Sequence, residues 1–155
     1  MKWKVTLGLL SALIILAVLG TAVYQVTIAE AKDREQSVAE QAEARLKKEL
    51  KPTDVRFESI FNGKRQYVVF TMKQSGQAVR AFVPKKGAIE TRPVADGFAI
   101  KTVIADHPEL GDIVSAKYGF EDRAVIEIVS KTTTGYDYSY YTYQEGSFIK
   151  RLRIK

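Results

Sequence analysis

The sequence predicts an α+β protein in which an N-terminal transmembrane helix is followed by two modules, each a helix packed on an antiparallel sheet. Three observations indicate this. A long uncharged segment follows the N-terminus, and strand patterns separated by turn residues come in two runs of four, each after a helical segment. Charged residues at 27% and apolar residues at 46% are typical of a globular chain. The expected division is residues 1–29 for the cytoplasmic tip and anchor, 30–92 for the stalk helix and first module, and 93–155 for the second module.

The anchor is predicted from residues 5–29, which hold no charged side chain. As a helix they would extend about 37 Å, enough to span a hydrocarbon core of ~30 Å. Because Lys2 and Lys4 precede the segment and charges of mixed sign follow it, the positive-inside rule places the N-terminus in the cytoplasm and the rest of this single-pass chain outside. The residues expected to meet lipid or its interface are Trp3, Leu7, Leu10, Ile14, Ile15, Leu19 and Tyr24.

A cleaved signal peptide is the alternative, because Ala29-Glu30-Ala31 has the small-x-small form of a cleavage site. The apolar segment is longer than the ~7–15 residues of a signal peptide, which favours a retained anchor. A lipid-modified cysteine is excluded because the chain has no Cys.

Composition excludes several kinds of chemistry. Because it has no Cys, the chain cannot form a disulfide scaffold, a Cys-ligated zinc or iron–sulfur site, or a thiol nucleophile. Because it has one His, a single chain cannot form a multi-His metal site. The net charge of +6 would ordinarily suggest nucleic acid. For a domain outside the membrane, anionic lipid or cell-wall polymers are the expected counter-charges instead, and no nucleic acid or cofactor is expected.

The first module should begin with a helix from Asp33 to Leu50, because good helix formers dominate there and Pro52 follows. Asn62-Gly63 and Ser75-Gly76 are turn signals between strand patterns. The predicted strands cover residues 55–61, 67–72, 78–83 and 88–91.

The second module repeats this order. Asp96 is expected to cap a short helix and Pro108 to stop it. Four strands follow, at Ile113–Phe120, Ala124–Val129, Tyr136–Tyr143 and Phe148–Ile154. Because modules of about 60 residues are marginally stable alone, the two are expected to pack together.

Short segments along nearly the whole chain carry a resemblance. They are the anchor, the charged helix, Tyr67-Val68-Val69, the Gly-Gln-Ala-Val-Arg-Ala-Phe-Val-Pro run from Gly76 to Pro84, Ala95-Asp96-Gly97, and Tyr138-x-Tyr140-Tyr141-x-Tyr143-x-x-Gly146 with the basic last strand. In these the chain resembles the YpmB/TseB-like cell-wall elongation regulators of Firmicutes. One departure is the lack of a Trp on the strand before the Tyr-rich one, where only Ile126 or Ile128 is available.

The resemblance implies a pair of PepSY-like modules with the cystatin-like arrangement. It also implies a non-enzymatic accessory protein that binds a penicillin-binding transpeptidase and adjusts cylindrical wall synthesis. Two alternatives stay open: an inhibitor or modulator of an envelope peptidase built from the same kind of module, and an envelope hydrolase, which would need acid–base residues converging in a pocket.

Catalytic and metal sites have few candidates. His107 lies in Asp106-His107-Pro108-Glu109, where an exposed connector is expected, and it receives no catalytic role. Glu121-Asp122 falls in a predicted turn, where exposed acids are common. A calcium site at Asp106, Glu109 and Asp112 would be supported only by the clustering of these carboxylates, because no Asp-x-Asp-x-Asp-Gly loop is present.

Two groups of residues are candidates for a partner surface. Residues 51–92 hold nine Lys+Arg and three Asp+Glu, so the basic excess belongs to the first module, with Lys64, Arg65, Lys85 and Lys86 at predicted turns. The second group belongs to a Tyr-rich strand in which alternation sends side chains to both faces. We expect one face to leave tyrosines exposed, and the candidates are Tyr138, Tyr140, Tyr141 and Tyr143. Solubility and ordinary strand preference are the competing explanations.

Overall fold

The computed structural model describes the backbone of residues 2–155 and the side chains of Tyr24 and residues 27–155. One helix, α1, extends over Lys2–Leu50. The chain divides into two compact units, Met1–Val38 and Ala39–Lys155. In the first unit, residues 27–37 are exposed along the helix. The second unit holds both sheets, and the predicted module boundary at residues 92 and 93 stays a prediction.

The anchor prediction falls mainly outside the described side chains. Tyr24 is described and is 68% exposed. The other predicted anchor side chains lie outside the described ones; they are Trp3, Leu7, Leu10, Ile14, Ile15 and Leu19. Within the described residues, no helix has both the length and the apolar character that crossing a bilayer requires.

The first sheet is an antiparallel meander with strand order β1-β2-β3-β4. Its tightest turn is Ser75-Gly76, which joins β2 to β3 between the paired residues Gln74 and Gln77. Both turn residues have positive φ, 50° and 81°, as a two-residue hairpin turn of type I′ requires. The strands are β1 (Thr53–Asn62), β2 (Gln66–Gln74), β3 (Gln77–Pro84) and β4 (Glu90–Pro93).

A short helix, α2 (Ile100–Asp106), connects the sheets. The prediction that Asp96 caps it is wrong. Asp96 ends a separate 3-10 turn, and Ala99 occupies the N-cap position with no side-chain hydrogen bond. Val103 of α2 packs against Ile126 and Ile128, so the helix covers one face of the second sheet.

The second sheet repeats the meander with order β5-β6-β7-β8. Its strands are β5 (Asp112–Phe120), β6 (Ala124–Thr132), β7 (Gly135–Thr142) and β8 (Phe148–Ile154). All neighbouring strands in both sheets are antiparallel. The predicted α+β class, with two antiparallel four-stranded sheets, is therefore confirmed.

The two sheets share one core. Tyr67 and Phe82 of the first sheet lie with their ring centroids 5.4 and 5.5 Å from Phe120 of the second. Tilted aromatic pairs at this spacing contribute beyond the apolar area that they bury. The cluster also contains Phe61, Val69, Ala124, Val125, Tyr140 and Tyr143. The expectation that the two sheets pack together is confirmed. We call the unit that holds them, Ala39–Lys155, the body.

Candidate interaction surface

Two loops lie at the same end of the first sheet, and both carry basic residues that are candidates for a partner surface. Lys64 and Arg65 lie in the β1–β2 turn, and Lys85 and Lys86 follow β3. Because β2 and β3 pair Tyr67 with Pro84, the turn before β2 lies beside the loop after β3. We name these four basic residues the basic end. The structure thus brings together charges that are some 20 positions apart in the chain.

A shallow depression of about 580 Å³ lies at the basic end. Three of the four cations, Arg65, Lys85 and Lys86, border it, and all three are exposed. Gln66, Pro84 and Gly87 complete the lining. An open depression bordered by several cations suits an anionic group on a larger partner better than a small apolar ligand.

Helix α1 holds the loop that carries Lys85 and Lys86. Arg45 Nη1 donates to the carbonyl of Pro84 at 2.6 Å, and Nη2 donates to the carbonyl of Gly87. Arg45 Nε also pairs with Glu49 at 2.7 Å. Gly87 has a φ of +104°, a conformation that favours glycine. The two lysines therefore project from a loop whose backbone is fixed at both ends.

The charges at the basic end are only partly balanced. Lys64 Nζ lies 3.3 Å from Asp122, but both side chains are well exposed, so the pair contributes little stability. Glu121 is paired with Lys150 at 2.7 Å. Arg65, Lys85 and Lys86 have no ion pair within the described part of the chain. The positive field of this surface is thus available to an external anion.

Three of the four candidate tyrosines are not surface residues, which corrects the expected aromatic surface. Tyr140, Tyr141 and Tyr143 are 4%, 0% and 2% exposed, and Tyr138 is half-buried. The physical reason is that both faces of the second sheet are covered there. The first sheet covers Tyr140 and Tyr143, and α2 covers Tyr141.

The buried hydroxyls of Tyr140 and Tyr143 bind other groups of the protein. Tyr140 donates to Glu127 at 2.8 Å, and its burial together with this carboxylate raises its pKa. Tyr143 donates to the carbonyl of Pro93 at 2.9 Å. Burial also raises the pKa of Tyr143, although the charge of Arg80 opposes the effect. These hydroxyls stay neutral and serve as structural hydrogen-bond partners.

Sequence reasoning missed an ion pair of the first sheet that lies against the second sheet, in which Arg80 is buried and Glu58 is partly exposed. Arg80 Nε and Nη2 donate to Glu58 at 2.7 and 3.0 Å, and Nη1 donates to the Tyr143 hydroxyl at 2.8 Å. The guanidinium lies 3.6 Å from the ring centroid of Tyr118, on the other sheet. Burial opposes the charge, but the hydrogen bond and charge of Glu58 prevail and raise the pKa of Arg80.

A buried carboxylate, that of Glu127, also joins the two sheets. Glu127, 3% exposed, accepts the Tyr140 hydroxyl and lies 3.7 Å from Lys117 Nζ. Lys117 in turn donates to the carbonyl of Ile60 in the first sheet at 3.0 Å. A signal for both clusters existed in the sequence: Arg80 and Glu127 each interrupt an otherwise apolar strand.

The catalytic and metal candidates occupy separate places. His107 Nδ1 lies 2.8 Å from Glu109, and its ring centroid is 4.9 Å from that of Tyr141. The pKa of Glu109 is lowered by its own backbone N–H and by His107. Among the described residues, no group of three or more His, Asp or Glu side chains is placed to hold a metal ion.

Comparison with known proteins gives one structural likeness. The chain superposes on the YpmB protein from Bacillus subtilis with a TM-score of 0.63 and 24% identity, over 74% of this chain and 96% of that one. No protein-family model matches the chain. No curated protein matches its sequence. The likeness shows that the chain has a YpmB-like fold.

Proposed function

We propose that this chain is a membrane-anchored, extracytoplasmic regulator of cell-wall elongation that acts by binding a penicillin-binding transpeptidase and catalyses no reaction itself. In this proposal residues 5–29 span the membrane once, and the two sheets are cystatin-like, PepSY-like modules outside it. The partner could additionally include anionic lipid or wall polymer, because the same cations would attract either.

The observation that carries the proposal is the basic end. Arg65, Lys85 and Lys86 are exposed and border one depression. Arg45 holds the loop that presents two of them. Charged groups on a rigid scaffold favour a specific protein contact, since little order is lost when the contact forms. The YpmB-like fold supports the same class of proteins.

A binding role without catalysis agrees with the use of the buried polar groups. Glu127 and Tyr140 are paired inside the molecule, and the partly exposed Glu58 binds the buried Arg80. A membrane anchor would add to a weak contact by confining both partners to one surface, which raises their effective concentration.

A second function, modulation of an envelope peptidase, is favoured by one arrangement. The β1–β2 and β5–β6 turns lie side by side, joined by Lys64 and Asp122. Two adjacent hairpin tips can enter an enzyme cleft together. This role predicts inhibition of a peptidase by the purified chain.

Crosslinking in cells distinguishes these functions. A photoreactive amino acid replaces Lys85 at the basic end, and a control chain carries it at Lys101 on α2, which is also exposed. Adducts are probed with a fluorescent penicillin, which labels transpeptidases covalently. A labelled adduct from position 85 alone supports the proposal. Adducts made only of peptidases favour the second function, and equal adducts from both positions contradict a role for the basic end.

Charge reversal then tests the basic end with the captured transpeptidase. The variant Lys85→Glu/Lys86→Glu should bind about tenfold more weakly at low salt, and the difference should shrink as salt is raised. The control Lys48→Glu/Lys101→Glu has the same net charge change at exposed positions elsewhere. Equal losses in both variants would show that only the overall charge matters.

A further inference from the structure

Strand β8 forms one edge of the second sheet, with β7 as its neighbour. Natural proteins protect such edges with proline, bulges or short strands. All four edges of the two sheets have at least one of these features. Strand β4 has four residues and ends at Pro93, β1 has two register shifts, and β5 has one near Ile113. Strand β8 has one register shift, between Phe148 and Lys150, and from Lys150 to Ile154 it pairs regularly with β7.

Apolar side chains are exposed along this regular edge. Leu152 and Ile154 are 50% and 55% exposed, and Phe148 at the start of the strand is 54% exposed. On β7, Tyr136 pairs with Ile154 and Tyr138 with Leu152, so these side chains share one sheet face. An added strand would cover this apolar surface and would use the outward backbone groups of β8.

The charge of the edge selects its occupant. Residues 148–155 contain four basic side chains and no acidic one. Arg153 is paired with Asp137 and Lys150 with Glu121. Arg151 Nε donates to the Ser139 hydroxyl at 2.9 Å, and its charge acts on Glu109 and Asp137, but neither Arg151 nor Lys155 forms an ion pair among the described residues. A second copy of β8 would bring like charges together, which is unfavourable, whereas an acidic strand would meet both unpaired cations.

We propose that β8 is a docking edge for an extended acidic peptide segment of a partner protein, which adds to the second sheet as a fifth strand. Backbone hydrogen bonds supply part of the affinity, and alternate side chains supply specificity. Acidic residues in the segment face Arg151 and Lys155, and apolar residues between them cover Leu152 and Ile154. This proposal does not depend on the identity of the transpeptidase.

The probe is a fluorescein-labelled peptide of about eight residues in which glutamate and valine alternate, a length that covers β8. Its binding to the full-length chain in a nonionic detergent is measured by fluorescence anisotropy at low salt. We expect binding at least tenfold tighter than that of the matching lysine–valine peptide. We also expect slower amide hydrogen exchange in residues 148–154 and no change in residues 112–120 of the opposite edge.

Three comparisons, one of peptides and two of variants, complete the test. A glutamate–valine peptide with N-methyl groups on alternate residues keeps its charge but cannot form the backbone ladder, so it should lose most of its affinity. Arg151→Gln/Lys155→Gln should bind at least fivefold more weakly than the control Lys48→Gln/Lys101→Gln. Leu152→Thr keeps strand preference and should bind more weakly than Val114→Thr on the β5 edge, where Val114 is 58% exposed.

Several results would overturn the proposal. Equal binding of the N-methylated peptide would show a charge contact without strand addition. Slower amide exchange in β5 instead of β8 would show that the peptide binds the opposite edge of the sheet. Self-association of the chain that protects β8 would identify a second copy as the occupant. Circular dichroism confirms that each variant is folded before its affinity is compared.

Discussion

Replacing Arg80 with methionine should destabilise the body more than replacing any exposed cation. The Arg80 side chain is 6% exposed, and it carries the two hydrogen bonds to Glu58, the one to Tyr143 and the stacking on Tyr118. Methionine fills a similar volume but leaves the Glu58 carboxylate and the Tyr143 hydroxyl oxygen without this donor. The change therefore removes the polar contacts with little change in packing.

The size of the effect follows from the exposure of the two partners. Removing one member of a buried ion pair costs about 3–5 kcal/mol. Because the Glu58 side chain is 25% exposed, water can partly solvate the carboxylate that remains. We therefore expect about 3 kcal/mol for Arg80→Met and at least as large a loss for Glu58→Gln, because that variant leaves the more deeply buried guanidinium without its carboxylate. The double variant should be more stable than Arg80→Met alone, because it removes the unpaired carboxylate.

Urea unfolding followed by near-ultraviolet circular dichroism of tyrosine measures these losses. Seven of the eight tyrosines lie between residues 67 and 143, so the signal reports on the two sheets. Arg92→Met is the control: its half-exposed ion pair with Glu90, at 3.4 Å, should contribute less than about 1 kcal/mol. A loss of under about 1 kcal/mol for Arg80→Met, or additive losses in the double variant, would refute the reasoning.

Three further predictions concern other parts of the body. Gly119→Ala should cost at least about 2 kcal/mol in the same urea assay, because the new Cβ would lie 2.2 Å from the fully buried ring of Phe61; an unchanged midpoint would contradict this packing. Arg45→Met should speed amide exchange in residues 85–87 by about fivefold without affecting β2, since the loop would lose its two carbonyl contacts; unchanged exchange would show that the loop is held otherwise. The hydrogen bond and charge of Arg153 hold the pKa of Asp137 below its usual value of 3.8, so this pair stabilises the fold above that pH and less as the pH falls through the lowered pKa. Asp137→Asn should therefore be less stable than the parent at pH 7, and the difference in stability should narrow as the pH falls below 3.8; a constant difference would refute the prediction.

The strands and turns could be predicted because they depend on neighbouring residues. Ser75-Gly76 turned the chain as expected, and the φ angles of both residues are positive. The apolar run from Tyr67 to Met72 became an interior strand buried on both faces. The cap of α2 was predicted wrongly: the backbone at Asp96 enters a separate 3-10 turn, so its carboxylate is too early in the chain to cap the helix.

The candidate surfaces depended on the tertiary structure to different degrees. The four basic residues were predicted individually, and their common location followed from the pairing of β2 with β3. The tyrosine surface failed because alternation along β7 identifies two faces but does not say what covers each. The exposed apolar edge at β8 was missed for the same reason, since its exposure depends on the absence of a further neighbour in the sheet that the structure describes.

By itself the sequence determined the α+β class, the order of helices and strands, and the concentration of positive charge in residues 51–92. These properties follow from local backbone preference and from composition. Only the tertiary structure decided that Arg80 and Glu127 join two sheets, that Tyr140, Tyr141 and Tyr143 are buried, and that β8 is open. Burial and pairing are set by contacts between strands far apart in the chain, and the sequence pattern of one strand does not specify its neighbours.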